Sequence, residues 1–169
     1  MAYGTDEGFV DYHEARGRTV PASWVLPGAT VIQSARLVAS EWLDASYGGV
    51  WIGEPTDGFT QDRQWPRTGA TTQGYTFPDD ITPERVINAA YEAAWQQATK
   101  PGAFQTVFNP QKYTSVSIDG AVSIDYNLNM TSVADMQVQL QVVEQLMQPL
   151  IDPNKSGSFS GLSGAKVLV

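Results

Sequence analysis

Residues 50–80 constrain this chain more than any other stretch. They read VWIGEPTDGFTQDRQWPRTGATTQGYTFPDD, rich in Gly, Pro, Thr and aromatic side chains, with no helical or strand period. A connection of this length without regular structure is uncommon inside a compact domain and is usually either functional or disordered. Trp51, Phe59, Trp65, Tyr75 and Phe77 are too apolar to be left in water, so the segment needs a surface to lie on. The helices on either side, or a neighbouring chain, have to provide it.

Helical patterns flank the segment. Ile32, Ala35, Val38 or Ala39, Trp42, Leu43 and Ser46 or Tyr47 fall three and four apart, which predicts a helix over 29–47 with one apolar stripe. Gly48-Gly49 should end it in a left-handed conformation. Beyond the segment, Thr82 as N-cap, Pro83 in the first turn and Glu84 at the positive end of the dipole predict the start of another helix. Val86, Ala89, Ala90, Ala93, Ala94 and Ala98 give that helix a small-residue face, with Tyr91 and Trp95 beside it, and Lys100, Pro101 and Gly102 stop it. A shorter helix is expected over 6–16. Thr5 would cap it, Asp6 and Glu7 would sit where the dipole favours acids, Phe9, Tyr12 and His13 recur at helical spacing, and Gly17 ends it. Residues 18–27 should be extended, held open by Pro21 and Pro27.

The second half continues with a hairpin pattern. Tyr113, Val116 and Ile118 precede Asp119-Gly120, and Val122, Ile124 and Tyr126 follow, which favours a tight turn between two strands. Ser132 with Asp135 resembles a capping box, and Val133, Met136, Leu140, Val143, Met147 and Leu150 predict a last helix over 132–151 with a Gln-rich, nearly uncharged opposite face. The expected fold is mainly α: a small bundle of about four helices with one β-hairpin around 113–126, occupying residues 1–152. Residues 153–169 read as a flexible, Gly/Ser-rich C-terminal arm whose apolar stretch suits strand addition to a neighbour.

Composition narrows the functions available. The chain has no Cys and one His, with ten Lys plus Arg against eighteen Asp plus Glu, a formal charge of −8. That excludes a disulfide framework, a thiol nucleophile and a multi-histidine or Cys-ligated metal centre. It also argues against a protein whose main task is neutralising phosphates. Only 17% of residues are charged, against roughly 25% in an average soluble domain, so much of the surface is uncharged and suited to being covered by other subunits. No apolar run reaches the roughly 18 residues of a membrane span, and MAYGTDEG is not a secretory signal. A soluble protein made in the cytoplasm is expected, without a membrane role. There is no phosphate loop, dinucleotide fingerprint or nucleophile elbow, so neither an enzyme nor a cofactor is expected. His13 reads as a packing residue, and Asp6-Glu7 and Asp79-Asp80 as dipole-favouring acids near helix starts.

Within the long segment, residues 59–69 leave three readings open. Arg63 and Arg67 beside Trp65 could stack on bases and touch phosphates of a single strand. The same types are favoured at protein interfaces. A third possibility is an ordered loop clamped onto its own helices.

The opening MAYGTDEGFVDYHEARG, the phrase FTQDRQWPRTGA, the run FPDDITPERVINAAYEAAWQ and the Gly/Ser-rich tail together resemble small tailed-bacteriophage head–tail connector proteins, also called adaptor or head-completion proteins. Members of that family are often labelled DnaT-like single-stranded-DNA-binding proteins. The resemblance covers nearly the whole chain. It implies a structural virion protein of the neck, assembled as a homo-oligomeric ring of about twelve copies beneath the portal protein, with a tail-side neck or tail-terminator protein below and genome DNA passing through without specific binding. It further implies that Trp65, Pro66 and Arg67, with the helix from Thr82, form the folded centre and a subunit contact. Asp119 and Gly120 of the hairpin, and Phe159, Val167, Leu168 and Val169 of the arm, would then reach adjoining rings. The alternative is a replication protein that binds single strands through Arg63, Trp65 and Arg67. Net acidity favours the ring, because a lumen that lets DNA slide should not grip it.

Overall fold

A computed structural model describes residues 1–104 and 140–155, together with the backbone pairing of residues 117–118 and 122–123. The architecture is mainly α, as the sequence predicts. The helices are α1 (Asp6–Glu14), α2 (Val31–Tyr47), α3 (Glu84–Thr99) and the short α4 (Gln141–Met147). Between and after them run two-residue antiparallel strands: β1 (Glu54–Pro55) with β2 (Arg67–Thr68), β3 (Thr71–Thr72) with β4 (Tyr75–Thr76), and β5 (Ser117–Ile118) with β6 (Val122–Ser123). Ile118 lies opposite Val122, so the expected hairpin pairs in this region. Its turn residues Asp119 and Gly120 lie outside the described residues, as do Ser132, Asp135 and the arm residues Phe159, Val167, Leu168 and Val169.

Helix α3 is the centre of the bundle, packed against α2 on one side and α4 on the other, with α1 lying against both α2 and α3. Ala89, Ala90, Ala93 and Ala94 are all fully buried, and their small side chains are what let the helices come close. Ile32, Ala35, Ala39, Leu43 and Tyr47 bring the stripe of α2 to the same core, and Val143, Met147 and Leu150 complete it.

Several ends differ from expectation. Helix α2 begins at Val31 rather than 29, and its C-cap Gly48 is right-handed (φ −53°), so neither it nor Gly49 uses a positive φ. Glycine is needed at 48 for room instead: a Cβ there would stand 2.5 Å from the Asp44 carbonyl oxygen and 3.0 Å from Cγ of Gln64. Thr82 makes no capping bond. Pro83 takes the cap position, and its carbonyl accepts from Val86 N at 2.9 Å. The last helix cannot run unbroken from 132, because Leu140 is extended (φ −98°, ψ 99°) and the helix starts at Gln141. It tightens into a 3-10 turn, Gln148–Leu150, where Pro149 has no N–H to give. Helix α1 follows the prediction closely. Gly8 N donates to Thr5 Oγ1 at 3.0 Å, and Gly17 takes a left-handed φ of +73° just beyond the end.

The N-terminal residues form a strap across the bundle. Tyr3 is read by three residues spaced four apart on α2: its N donates to Ser40 Oγ (3.0 Å), its carbonyl accepts from Arg36 Nη2 (3.1 Å), and its hydroxyl donates to Asp44 Oδ1 (2.6 Å). Arg36 also bonds the Gly4 carbonyl and the Asp6 carboxylate. The strap then crosses α3, where Tyr91 Oη accepts from Thr5 N at 3.0 Å. A Cβ at Gly4 or Gly8 would fall 2.2 or 2.4 Å from that oxygen, so both positions need glycine for close approach.

Helix α1 is tied to α3 by a second buried network. His13, fully buried, has Nε2 3.1 Å from the Tyr91 carbonyl and Nδ1 3.2 Å from Arg18 Nη1. A carbonyl only accepts and a guanidinium only donates, so the ring is the neutral Nε2–H tautomer. Burial holds its pKa below the ordinary value. Arg18 pairs with Glu92 at 2.7 Å, and Glu92 also accepts from Tyr12 Oη at 3.1 Å. This histidine is a structural residue of the α1–α3 interface.

Candidate functional site

The arrangement around residues 50–68 starts from an extended edge. Val50 to Ile52 run antiparallel to the chain after α4: Ile52 N donates to Leu150 O (2.9 Å), Asp152 N to Val50 O (2.8 Å), and Trp51 bridges Ile151. The carbonyls of the following residues would be left without partners, and two cations take them. Arg67 donates through Nε to Ile52 O (2.9 Å), through Nη2 to Gly53 O (2.8 Å), and through Nη1 to Gln64 O (3.1 Å) and Gln64 Oε1 (3.2 Å). Lys155 Nζ donates to Trp51 O (3.0 Å), Gly53 O (2.8 Å) and Glu54 Oε1 (2.8 Å). Arg67 is only 2% exposed, and burial lowers its pKa, yet the carbonyl oxygens around it solvate the charge. Guanidinium geometry suits this task, with several donors fixed in one plane.

Trp65, also 2% exposed, is held two residues away. Its backbone N donates to Tyr3 Oη at 3.2 Å, and its ring meets Trp51 at 6.1 Å and Phe77 at 5.9 Å, both edge to face. Pro66 is half-buried, and its carbonyl accepts from Gln61 Nε2 (2.9 Å) and Thr56 N (3.2 Å). Arg63 lies against α2, pairing with Asp44 at 3.2 Å and Glu41 at 3.7 Å and bonding the Met1 carbonyl. Asp44 therefore collects Tyr3, Arg63 and, at 3.4 Å, Gln64 N. Burial pushes the Asp44 carboxyl up against these bonds, and burial followed by the nearby Asp44 charge pushes the Tyr3 phenol up.

Of the residues singled out by sequence, the structure brings Trp65, Pro66 and Arg67 together with Arg63, inside the fold. Neither Trp65 nor Arg67 presents surface to a base, a phosphate or another protein, so the single-strand contact and the direct subunit contact expected of them are not available in this conformation. The third reading, a loop clamped onto its own helices, describes the observed geometry. Tyr3, Arg36, Ser40, Asp44 and Lys155 were missed. The first four carried a signal: a polar row at 36, 40 and 44 beside an apolar stripe needs a partner, and the N-terminal phrase provides it.

The outer rim of the segment differs. Phe59 is fully exposed, Tyr75 is 58% exposed and Ile81 is 50% exposed. Acids neighbour two of them in the chain, Asp57 before Phe59 and Asp79-Asp80 before Ile81. Thr56 Oγ1 donates to the Asp79 carbonyl at 2.7 Å and Thr68 Oγ1 to the Asp79 carboxylate at 3.1 Å, which ties Asp79 to the β1–β2 pair. Among the described residues no group of three or more His, Asp or Glu could hold a metal ion, and no helix is long and apolar enough to cross a membrane.

No curated protein and no solved structure matches the chain. One family model does, and it takes in residues 2–164, nearly everything described above including the strap, the Trp65–Arg67 clamp and α3. By that match the chain belongs to the family described as "Putative DnaT-like ssDNA binding protein".

Proposed function

We propose that the chain is a structural assembly protein, the head–tail connector of a tailed bacteriophage, whose copies form a ring beneath the portal and join capsid to tail. The observation that carries this reading is the fate of Arg63, Trp65 and Arg67. All three are consumed by the fold, and the aromatic side chains left at the surface are Phe59 and Tyr75. An acidic chain with an apolar, weakly charged surface gains by covering that surface with other subunits and has little hold on DNA passing through a lumen. Its partners would be further copies of itself, the portal protein and a tail-side neck or tail-terminator protein, in the virion, with no cofactor and no catalysis.

The family description favours a second reading, a single-stranded-DNA-binding protein of replication. Nothing in the comparisons speaks of a ring, a portal or a virion. With Arg63 and Arg67 engaged, that second reading needs other cations, and Arg16, Arg85 and Lys100 are the exposed ones among the described residues.

Titration of the full chain with a fluorescent oligo-dT strand at two salt concentrations separates the two. The connector reading expects binding no tighter than about 10⁻⁴ M with little salt dependence. Micromolar or tighter affinity that falls steeply between about 50 and 200 mM salt would overturn it in favour of the second.

A further inference from the structure

The chain after α4 is tied to the body in two steps of different kind. The first is main chain: Ile52 N donates to Leu150 O at 2.9 Å, and Asp152 N to Val50 O at 2.8 Å. Past Asp152 the main-chain bonds are local, with Asn154 N on Asp152 Oδ1 at 2.9 Å and Lys155 N on Asp152 O at 3.1 Å. Pro153 and Asn154 are exposed. Among the described residues, the ammonium of Lys155 is therefore the one polar group that carries 153–155 back to the body.

Its surroundings have the form of a binding site. Three oxygens converge on Nζ at 2.8–3.0 Å, the carbonyls of Trp51 and Gly53 and Oε1 of Glu54, one for each N–H. Among the described residues no other donor reaches the Trp51 carbonyl. Gly53 O accepts from Arg67 as well, so two cations share one oxygen, and the Glu54 carboxylate offsets the repulsion between them. The Lys155 hydrogen bond, and then its charge, hold the Glu54 carboxyl below its ordinary pKa. These distances suit N–H donors. They are too long for calcium, which takes oxygens at about 2.3–2.6 Å, or magnesium at about 2.0–2.1 Å.

We propose that Trp51 O, Gly53 O and the Glu54 carboxylate form a primary-ammonium site that the chain fills with its own Lys155, making 153–155 a latch that opens without disturbing the core. Closed, the latch sets the point where the chain leaves the described fold, beside Glu54 of β1. Open, that point retreats to Asp152. The core stays in place because Val143, Met147 and Leu150 are buried upstream of the latch, and Arg67 keeps its bonds to the carbonyls of Ile52 and Gly53. A lysine suits the role, since its compact charge sits at the end of a flexible stem that can leave and return. The latch needs neither a second copy nor a virion, so it stands apart from the connector reading.

Lys155→Ala in the full chain removes the ammonium and leaves the three oxygens, which a soluble amine can refill. Backbone order parameters from NMR relaxation at positions 154 and 155 should fall from the rigid range of about 0.85 to below about 0.6, while those of Ile52 and α3 stay unchanged. Ethylammonium chloride should restore most of the loss. Tetramethylammonium chloride at the same concentration has no N–H to give and should restore none. The Glu54 carboxyl, followed by NMR titration, should rise toward its ordinary pKa in the variant and fall again when ethylammonium binds. Unchanged order parameters at 154 and 155 in Lys155→Ala would overturn the latch. An equal response to the two salts would overturn the ammonium site, because ionic strength alone would then account for it. Loss of order spreading into α3 would show that the segment does not open apart from the core, and would overturn the proposal as well.

Discussion

The inner and outer sides of residues 50–80 both carry large apolar side chains and meet opposite fates. On the inner side Trp51, Trp65 and Arg67 are almost wholly buried, whereas on the outer side Phe59, Tyr75 and Ile81 face water. A ladder of rings joins the two: Tyr75 to Phe77 at 5.0 Å, Phe77 to Trp65 at 5.9 Å, Trp65 to Trp51 at 6.1 Å and Trp51 to Tyr47 at 6.3 Å. Exposure drops from 58% at Tyr75 through half-buried Phe77 to 2% or less at Trp65, Trp51 and Tyr47. What distinguishes the sides is the supply of backbone acceptors. The extended 51–53 stretch leaves carbonyls that no strand pairs, and Arg67 and Lys155 fill that need. On the outer side no cation lies over the rings of Phe59 or Tyr75 among the described residues. Arginine beside tryptophan therefore marks an anchor here, and the surface available to a partner is the part of the segment without arginine.

Removing the anchor is the harshest way to break this comparison. Arg67→Ala strips partners from the carbonyls of Ile52, Gly53 and Gln64 at once, and should cost about 3–5 kcal/mol in a urea unfolding titration. Arg67→Lys keeps the charge but offers a single ammonium to three diverging acceptors, so an intermediate loss of about 1–3 kcal/mol is expected. A loss below about 0.5 kcal/mol for Arg67→Ala would mean that the carbonyls find water and that the anchor is Lys155 alone. Tyr3→Phe is next in size. It leaves Asp44 and Trp65 N without the hydroxyl between them, and the same titration should show a loss of about 1–3 kcal/mol.

Acid separates the sides as well, through the buried network of α1. The pKa of His13 is lowered in the fold, so the unfolded chain binds its proton first as pH falls. Stability from the neutral ring is fully present above the unfolded value near 6.5 and is lost as pH drops toward the folded one. Asp44 acts in the opposite sense: its folded pKa is raised, so its contribution is present below the unfolded value of 3.8 and fades as pH rises through the folded one. Between pH 7 and 5 the histidine therefore makes stability fall, with a limiting slope of about 1.4 kcal/mol per pH unit. His13→Gln should flatten that slope in denaturation curves recorded across the range, while a substitution at Tyr75 leaves it unchanged.

How much of this was legible beforehand follows the same division. The stripes of α1, α2 and α3 are written in side-chain spacing, and they folded where that spacing placed them, within a residue or two at most ends. The row Arg36, Ser40 and Asp44 was visible in the same register, although its occupant Tyr3 sits more than thirty residues away. Arg67 and Lys155 were different. Their acceptors are main-chain oxygens 14 or 15 and 102 or 104 residues away, and no pattern of side chains reveals a carbonyl left unpaired. The helix ends failed for a related reason. Gly48 reads as a left-handed stop, but the demand on it is for room, first against the Asp44 carbonyl of the helix's own last turn and then against Gln64 packed across the terminus.

The smallest expected effect is the one that sharpens the comparison most. If Phe59 is an anchor for something outside the chain, it contributes nothing to the chain's own stability. Phe59→Ser should therefore move the urea midpoint by no more than about 0.5 kcal/mol, in contrast to the several kcal/mol at Arg67. Its loss should instead appear in assembly, as a reduced share of oligomer in native mass spectrometry or, in the connector setting, as particles whose heads and tails stay separate. The acids that neighbour the exposed apolar residues in the chain make the same point from the other direction. Asp57→Asn with Asp79→Asn touches no core contact, so the urea midpoint should again move by no more than about 0.5 kcal/mol, while a basic partner would be held less well. A loss of association with no matching loss of folding at one small patch is the signature of a surface kept for a partner.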